Sequence, residues 1–250
     1  MTPVDSVIID DIYHPMASMA SMAAMEAMEA MEAMEAMEAM EAMEAMEAME
    51  AMEVDMRYSA QHKQETRERI VRAASRHFRG QGGDGVAIAD LMRKLNLTHG
   101  GFYRHFDSKE QLFAEAVAKS FEDVRARFKE VVEKAPPEGR LKVFIEQYLS
   151  LDHCANPDSG CPLAALASEI ARYPSAVRVK IDRAMRDHIN RLSGLLPGAT
   201  EKERQRNCLV LLSGLGGALI MARTVADKEM RQSILEAARE FYIKAFCPQP

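Results

Sequence analysis

Apolar residues recur at helical spacing through most of residues 59–246, and no stretch alternates with the period of two that a half-buried strand requires. Ile70, Ala74 and Phe78 stand at i, i+4 and i+8 with Val71 beside them, which predicts a helix over 59–80 ended by Gly80, Gly82, Gly83 and Gly85. Ile88, Leu91, Met92 and Leu95 repeat at i, i+3, i+4 and i+7 before Asn96 breaks the pattern. Thr98, whose hydroxyl can accept from orphan backbone N–H groups, then opens a short helix over 98–105. Ser108 with Gln111 forms an S-x-x-Q capping box, so the next helix starts ten residues after the last. That helix, over 109–134, carries Phe113, Val117, Phe121, Val124 and Phe128 on one side, and Pro136-Pro137 stops it.

Five more helices follow. Leu141, Phe144, Ile145, Tyr148 and Leu149 mark one over 138–151, Pro162 opens one over 161–172, and Pro174 opens one over 174–196. The box Thr200-x-x-Glu203 starts a helix over 200–225, and Asp227 caps the last, over 227–246. The pattern predicts an all-α fold of about nine helices.

Residues 98–109 read T-H-G-G-F-Y-R-H-F-D-S-K. Phe102 and Phe106 fall at i and i+4 on one face, while His99, Tyr103, Arg104 and His105 point mostly elsewhere, so one face is core and the other is available. A small helical core explains the two phenylalanines but not the clustered His99, Arg104, His105 and Lys109. A helix, tight turn and helix followed by Y-R-H-F-x-S-K-E, behind a helix that begins T-R-E-R-I-V-R-A-A, resembles the DNA-binding domain of the TetR/AcrR family of bacterial transcriptional regulators. The resemblance covers about residues 60–115.

It implies a three-helix, helix-turn-helix reader followed by a helical effector-binding and dimerisation domain. In a helix-turn-helix the second helix enters the major groove, its N-terminal residues reaching base edges while flanking groups grip phosphates. Thr98, His99, Gly100 and Gly101 would then face the groove floor. The resemblance implies phosphate contacts for Tyr103 and His105, and phosphate neutralisation by Lys109. Arg104 either reads guanine bidentately or holds the backbone.

Charge supports a polyanionic partner once the chain is divided. The formal net charge is −6, but residues 1–56 hold fourteen acids and no Lys or Arg, whereas residues 57–110 hold eleven Lys/Arg against six Asp/Glu. The acids belong to a low-complexity arm, residues 1–55, whose M-E-A repeat places Met at every third position. A three-residue repeat falls about 60° short of a helical turn, so the Met row winds around the helix and presents no lasting apolar face. Glutamates three apart repel one another, and the arm is expected to be disordered or a frayed, solvated helix. It is a neutral repeat expansion, non-native sequence ahead of a true start at Met56, or a functional acidic arm that competes with DNA. The expected domains are therefore 1–55, the reader at 56–108, and the effector and dimerisation domain at 109–250.

No basic-then-apolar leader is present, and the longest uncharged run, residues 207–222, is shorter than the roughly 20 residues of a bilayer span. A cytoplasmic protein without a membrane partner is expected. Four cysteines without a CxxC pair or zinc spacing point to reduced thiols, with no metal and no cofactor. Nothing resembles G-x-S-x-G, H-E-x-x-H or a phosphate-cradling loop, and no enzyme is expected.

Within the helical domain, Phe113, Val117, Phe121, Phe144, Tyr148, Leu166 and Met185 are candidates to line a small-molecule effector pocket or simply core. Leu209, Leu212, Gly216 and Leu219 repeat at three- and four-residue spacing, and the family resemblance makes the last two helices a homodimer interface. The segment G-C-P-L-A-A-L-A-S-E-I, residues 160–170, also looks like a branch of the same family. Cys161 stands before Pro162 at a helix start, where the dipole favours thiolate, and Cys154 lies seven residues earlier; the pair is a candidate oxidant or electrophile sensor beside the reading of both as inert thiols. The expected function is a repressor released from a palindromic double-stranded DNA operator by an effector. The alternatives are an architectural DNA-binding protein without effector and, more distantly, a cysteine-dependent enzyme.

Overall fold

The structure, a computed structural model, describes residues 10–247. Among the described residues there are ten α-helices, two 3-10 turns and no strand. They are α1 (Asp10–Gln81), α2 (Ile88–Lys94), α3 (His99–Phe102), α4 (Lys109–Lys134), α5 (Arg140–Tyr148), α6 (Leu151–Ala155), α7 (Pro162–Ile170), α8 (Ser175–Ser193), α9 (Glu201–Thr224) and α10 (Lys228–Phe246). The helix expected over 138–151 ends at Tyr148, and the tenth helix, α6, lies almost wholly beyond it. Ser150 is extended and its hydroxyl accepts from His153 N at 3.1 Å, so the chain restarts as α6.

The chain forms two compact units, residues 1–62 and 63–250. In the first, the M-E-A repeat is helical, and the methionines from Met22 to Met52 are each between 54% and 71% exposed. Every third residue meets every side of a helix in turn, so no row of them can be covered at once. The first nine residues of the arm lie outside the described residues.

The second unit holds two apolar cores strung along α4. One joins Ile70, Ala74 and Phe78 of α1, Leu91 and Met92 of α2, and Phe102 and Phe106 to Leu112, Phe113, Ala116, Val117 and Phe121, with Leu166 and Ile181 closing it. The other joins Val124, Phe128 and Val132 to Leu141, Phe144, Ile145 and Tyr148 of α5, and to Cys208, Leu211, Leu215 and Leu219 of α9. The boundary expected at 108/109 therefore falls at the start of α4, whereas the cores change over between Phe121 and Val124. The first half of α4 is built into the reader, which makes this helix a stiff connection from reader to body.

Expected caps are present. Thr98, Ser108, Thr200 and Asp227 each accept from a backbone N–H in the first turn of the helix they open, and Thr200 with Glu203 completes a reciprocal box. The α1 terminus is set by Gly82 at φ 77°, whose N–H returns to Phe78 O at 2.8 Å.

Candidate functional site

The turn between α2 and α3 is made by Asn96, the one non-glycine residue at positive φ among those described, at 58°. Asparagine tolerates the left-handed region, and here it lets the N–H groups of Leu95 and Leu97 both return to Met92 O, at 3.0 and 2.9 Å. Arg69 of α1 donates to Leu95 O at 3.3 Å and braces the same turn. Thr98 then caps α3, its hydroxyl accepting from Gly101 N at 3.2 Å. The helix is shorter than the expected 98–105, because residues after Phe102 continue as turns.

Phe102 and Phe106 are each 1% exposed, with stacked rings 5.4 Å apart. Around them, Thr98, His99, Gly100, Tyr103 and Arg104 are exposed, and Gly101, His105 and Lys109 are half-buried. None of the eight residues expected to face DNA is buried, while the two phenylalanines between them are. A Cβ on Gly100 would meet nothing within 4 Å, so that glycine leaves open approach to the backbone.

One residue that matters to this segment was not among the sequence candidates. Arg67 lies 4.6 Å above the Phe106 ring, donates to His105 O at 3.4 Å, and forms a two-point pair with Glu115 at 2.6 and 2.7 Å. Lys180 of α8 reaches the same carboxylate at 2.8 Å. These cations hold Glu115 below the usual carboxylate range although burial acts the other way. Nothing in the local spacing reveals the link, since its members are 48 and 65 positions apart. His105 is pushed below its ordinary value by burial, with Lys63, Arg67 and Arg104 adding to it.

Cys154 and Cys161 lie in a second constellation, where arginines from three helices hold the loop around α6. Arg79 of α1 donates to Gly160 O at 2.8 Å; Arg127 of α4 reaches Ser159 Oγ and Asp152, both at 2.5 Å; Arg223 of α9 donates to His153 O at 2.8 Å and Cys154 O at 3.1 Å. Arg223 keeps one buried guanidinium nitrogen, Nη1, without a hydrogen-bond partner. Burial lowers its pKa, against the pull of Cys154, Tyr148 and Cys161 beside it. The Tyr148 hydroxyl is pushed well above its ordinary value, by burial first and then by the neighbouring Cys161 thiol.

Both cysteines are buried, at 6% and 5% exposure, as in the reading of both as inert thiols. The reason is long-range: the arginines that close over the loop come from elements distant in sequence. His153 is fully buried and uses both ring nitrogens on backbone, Nδ1 toward Tyr148 O at 2.7 Å and Nε2 accepting from Cys161 N at 3.0 Å. Burial lowers it to about 4, so it is a neutral strut and not a base poised for a thiol.

The seven pocket candidates do not line one cavity. Phe113, Val117, Phe121 and Leu166 are in the reader's core with Met185 packed against it, while Phe144 and Tyr148 are in the other core. Only Phe144 borders the cleft of about 440 Å³ between α4, α5 and α8. The alternative reading of these residues as core holds for most of them, because neighbouring helices fill that face. The cleft is lined instead by Val124, Phe128, Val132, Leu192 and Leu195 beside Arg125, Lys129, Arg140, His188 and Arg191.

The interface candidates are likewise divided. Leu209 is 50% exposed, Leu212 and Gly216 are half-buried, but Leu219 is fully buried among Cys208, Leu211, Leu215 and Ala222 in the chain's own core. The exposed apolar row of α9 is Leu209, Val210, Ile220 and Met221, about one residue out of phase with the row read from the sequence, and Phe241 of α10 is exposed as well. Gly214 serves close approach within the chain, since a Cβ there would overlap the Tyr242 hydroxyl of α10. By length and a mean hydropathy of 1.4, α9 would pass for a membrane span, which the shorter uncharged run did not suggest. Its two apolar faces, one in the core and one exposed, account for that composition.

A family model described as "Bacterial regulatory proteins, tetR family" matches residues 70–116. The chain is 26% identical over 168 residues to the HTH-type transcriptional regulator LmrA of Bacillus subtilis, covering 65% of this chain and 89% of the relative. It is 22% identical over 184 residues to the HTH-type transcriptional repressor DhaR of Mycobacterium sp., covering 70% and 90%. Among solved structures, a TetR transcriptional regulator from Chloroflexus aurantiacus is 26% identical with a TM-score of 0.59, covering 74% of this chain and 95% of that one. The reduced form of Escherichia coli NemR, at 20% identity, shares the fold with a TM-score of 0.60, covering 73% and 97%.

Proposed function

The chain belongs to the tetR family of bacterial regulatory proteins, and from that premise we propose that it is a homodimeric transcriptional repressor released from a palindromic DNA operator by an effector. The observation that carries this reading is the segment from Thr98 to Lys109, in which Thr98, His99, Tyr103 and Arg104 are exposed while Phe102 and Phe106 are locked inward. A second copy supplies the second reader, and the exposed apolar row of α9 offers the face for a two-fold pairing of α9 and α10. The protein works in the cytoplasm. Selecting bound fragments from random DNA tests the reading: a near-palindrome with half-site centres about one helical turn or slightly more apart is expected. Recovery of DNA without common sequence would favour the architectural alternative.

Lys109 sits at the first position of α4, where its charge adds to the unpaired N–H groups of the helix start. Lys109→Ala is expected to weaken binding to all sequences alike and to lower the slope of log affinity against log salt by about one unit. A changed sequence preference at constant slope would rule out the phosphate role.

Release is a two-state shift in which effector prefers the conformer whose readers are wrongly spaced. A 100-fold preference supplies about 2.7 kcal/mol, enough to empty most operator. The cleft between α4, α5 and α8 is the effector site, since α4 continues from its wall into the reader's core. A second route, modification of Cys161 with Cys154 resolving it, is favoured by the loop they occupy, which α1, α4 and α9 all grip. Because both thiols are buried, reaction needs the loop to open. Peroxide is expected to release operator from wild type but not from Cys161→Ser, and irreversibly from Cys154→Ser; equal release from all three would remove the cysteines from the mechanism.

A further inference from the structure

The walls of the α4–α5–α8 cleft are chemically lopsided. Val124, Phe128, Val132, Phe144 and Leu192 form a floor whose residues are each less than 9% exposed, and Leu195 borders it half-buried. Above the floor stand Arg125, Lys129, Arg140 and Arg191, and the one acid among the lining residues is Glu133, which lies 3.9 Å from Lys129. Arg140 donates to Ala135 O at 3.3 Å, while Arg125 and Arg191 have no carboxylate partner among the described residues. Four cations over one acid, beside an apolar floor, repel one another while the cleft is empty of an anion.

His188 adds a second sign. It faces Phe121 at 5.3 Å, borders the cleft, and has no hydrogen-bond partner among the described residues, although its ring is half-buried between apolar neighbours and Arg125. The ring borders the cleft half-buried and keeps its hydrogen-bonding capacity for whatever fills it.

We propose that the effector cleft takes an organic monoanion with an apolar body, the body lying on Phe128, Phe144 and Leu192 and the anionic head held between Arg125 and Arg191 with His188 at its flank. This class rests on the effector reading above. A neutral or cationic molecule of the same body leaves the cations uncompensated, and so the site discriminates by head-group charge. The volume of about 440 Å³ lies within the range in which ligand pockets enclose small organic molecules.

The test uses the full chain, with dodecanoate, 1-dodecanol and dodecylammonium as probes matched in tail and kept below their aggregation limits. Because the chain has no tryptophan, Leu195→Trp supplies a single reporter in the cleft, and titration calorimetry on the unsubstituted chain repeats each measurement without it. Dodecanoate is expected to bind at least tenfold tighter than either analogue. Arg125→Gln with Arg191→Gln, both exposed and so tolerant of change, is expected to weaken dodecanoate at least tenfold and leave 1-dodecanol within threefold. Equal binding of the three, preference for the alcohol or the amine, or no binding of any overturns the anion class. Operator release, followed separately by anisotropy, keeps the two ideas apart. Charge-selective binding without release supports the ligand class and rejects the effector reading; release by a neutral probe that perturbs the Trp reporter does the reverse.

Discussion

Replacing Phe102 by alanine is expected to lower the thermal midpoint by roughly 6–20 °C and to reduce operator affinity about 1000-fold, to the level of non-specific binding. The α3 helix has four residues, too few to persist by its own hydrogen bonds, so its position depends on the side chain it buries. That side chain is Phe102, 1% exposed, stacked on Phe106 and edge-on to Tyr103. Truncating a buried phenylalanine costs about 3–5 kcal/mol, and the chain can collapse only by moving α3, the part that must fit the groove. Phe102→Leu refills most of the space and is expected to restore most of both losses. Circular dichroism melts and anisotropy on the selected operator read the two effects. If Phe102→Ala bound operator within tenfold of wild type, the reader would not depend on this anchor.

The second large effect is expected at Arg79, whose side chain is 1% exposed and whose donors serve Ser75 O at 3.0 Å, Ser75 Oγ at 3.1 Å, Gly160 O at 2.8 Å and Asp123 at 3.2 Å. Arg79→Met keeps the stem and removes every donor. Gly160 O then loses this donor, while Asp123 keeps Lys119 at 3.1 Å and Ser75 at 3.0 Å and is partly wet. Removing one partner of a buried pair costs about 3–5 kcal/mol; those remaining partners place this case at the lower end, about 3 kcal/mol, or roughly 6–12 °C in midpoint. Arg127→Met is the comparison, since its partner Asp152 is 73% exposed at the side chain and the loss there is about 1 kcal/mol or less. Arg79 also ties the end of the reader's first helix to the loop that α9 holds through Arg223, so Arg79→Met is expected to weaken effector-driven release more than operator binding. Equal, sub-kilocalorie losses for both variants would show that the α6 loop is not a joint between reader and body.

How the chain is built was legible wherever the signal is local. Helix starts at Thr98, Ser108, Thr200 and Asp227 depend on one side chain and the backbone three residues on, and each is where the sequence put it. The inward Phe102 and Phe106 and the exposed Thr98, His99, Tyr103 and Arg104 follow from the same helical phase, and the M-E-A repeat, with no phase to hold, buries none of its described methionines. Asn96 showed as a break in the pattern, and its left-handed conformation is the form that break takes.

Tertiary structure decided what depends on partners far away in sequence. An apolar row on α4 or α9 looks the same whether a neighbouring helix, a cavity or a second chain covers it. Phe113 and Val117 therefore went to the reader's core, Leu219 to the chain's own interior, and Leu209 and Ile220 to the surface. The sequence left the two cysteines as either a sensor pair or inert thiols; their burial is decided by Arg79, Arg127 and Arg223, which converge on the loop from three helices. The charged cleft is the same kind of fact. Arg125 and Arg191 are 66 positions apart, each an ordinary surface arginine along its own helix, and only the packing of α4 on α8 makes them two walls of one site.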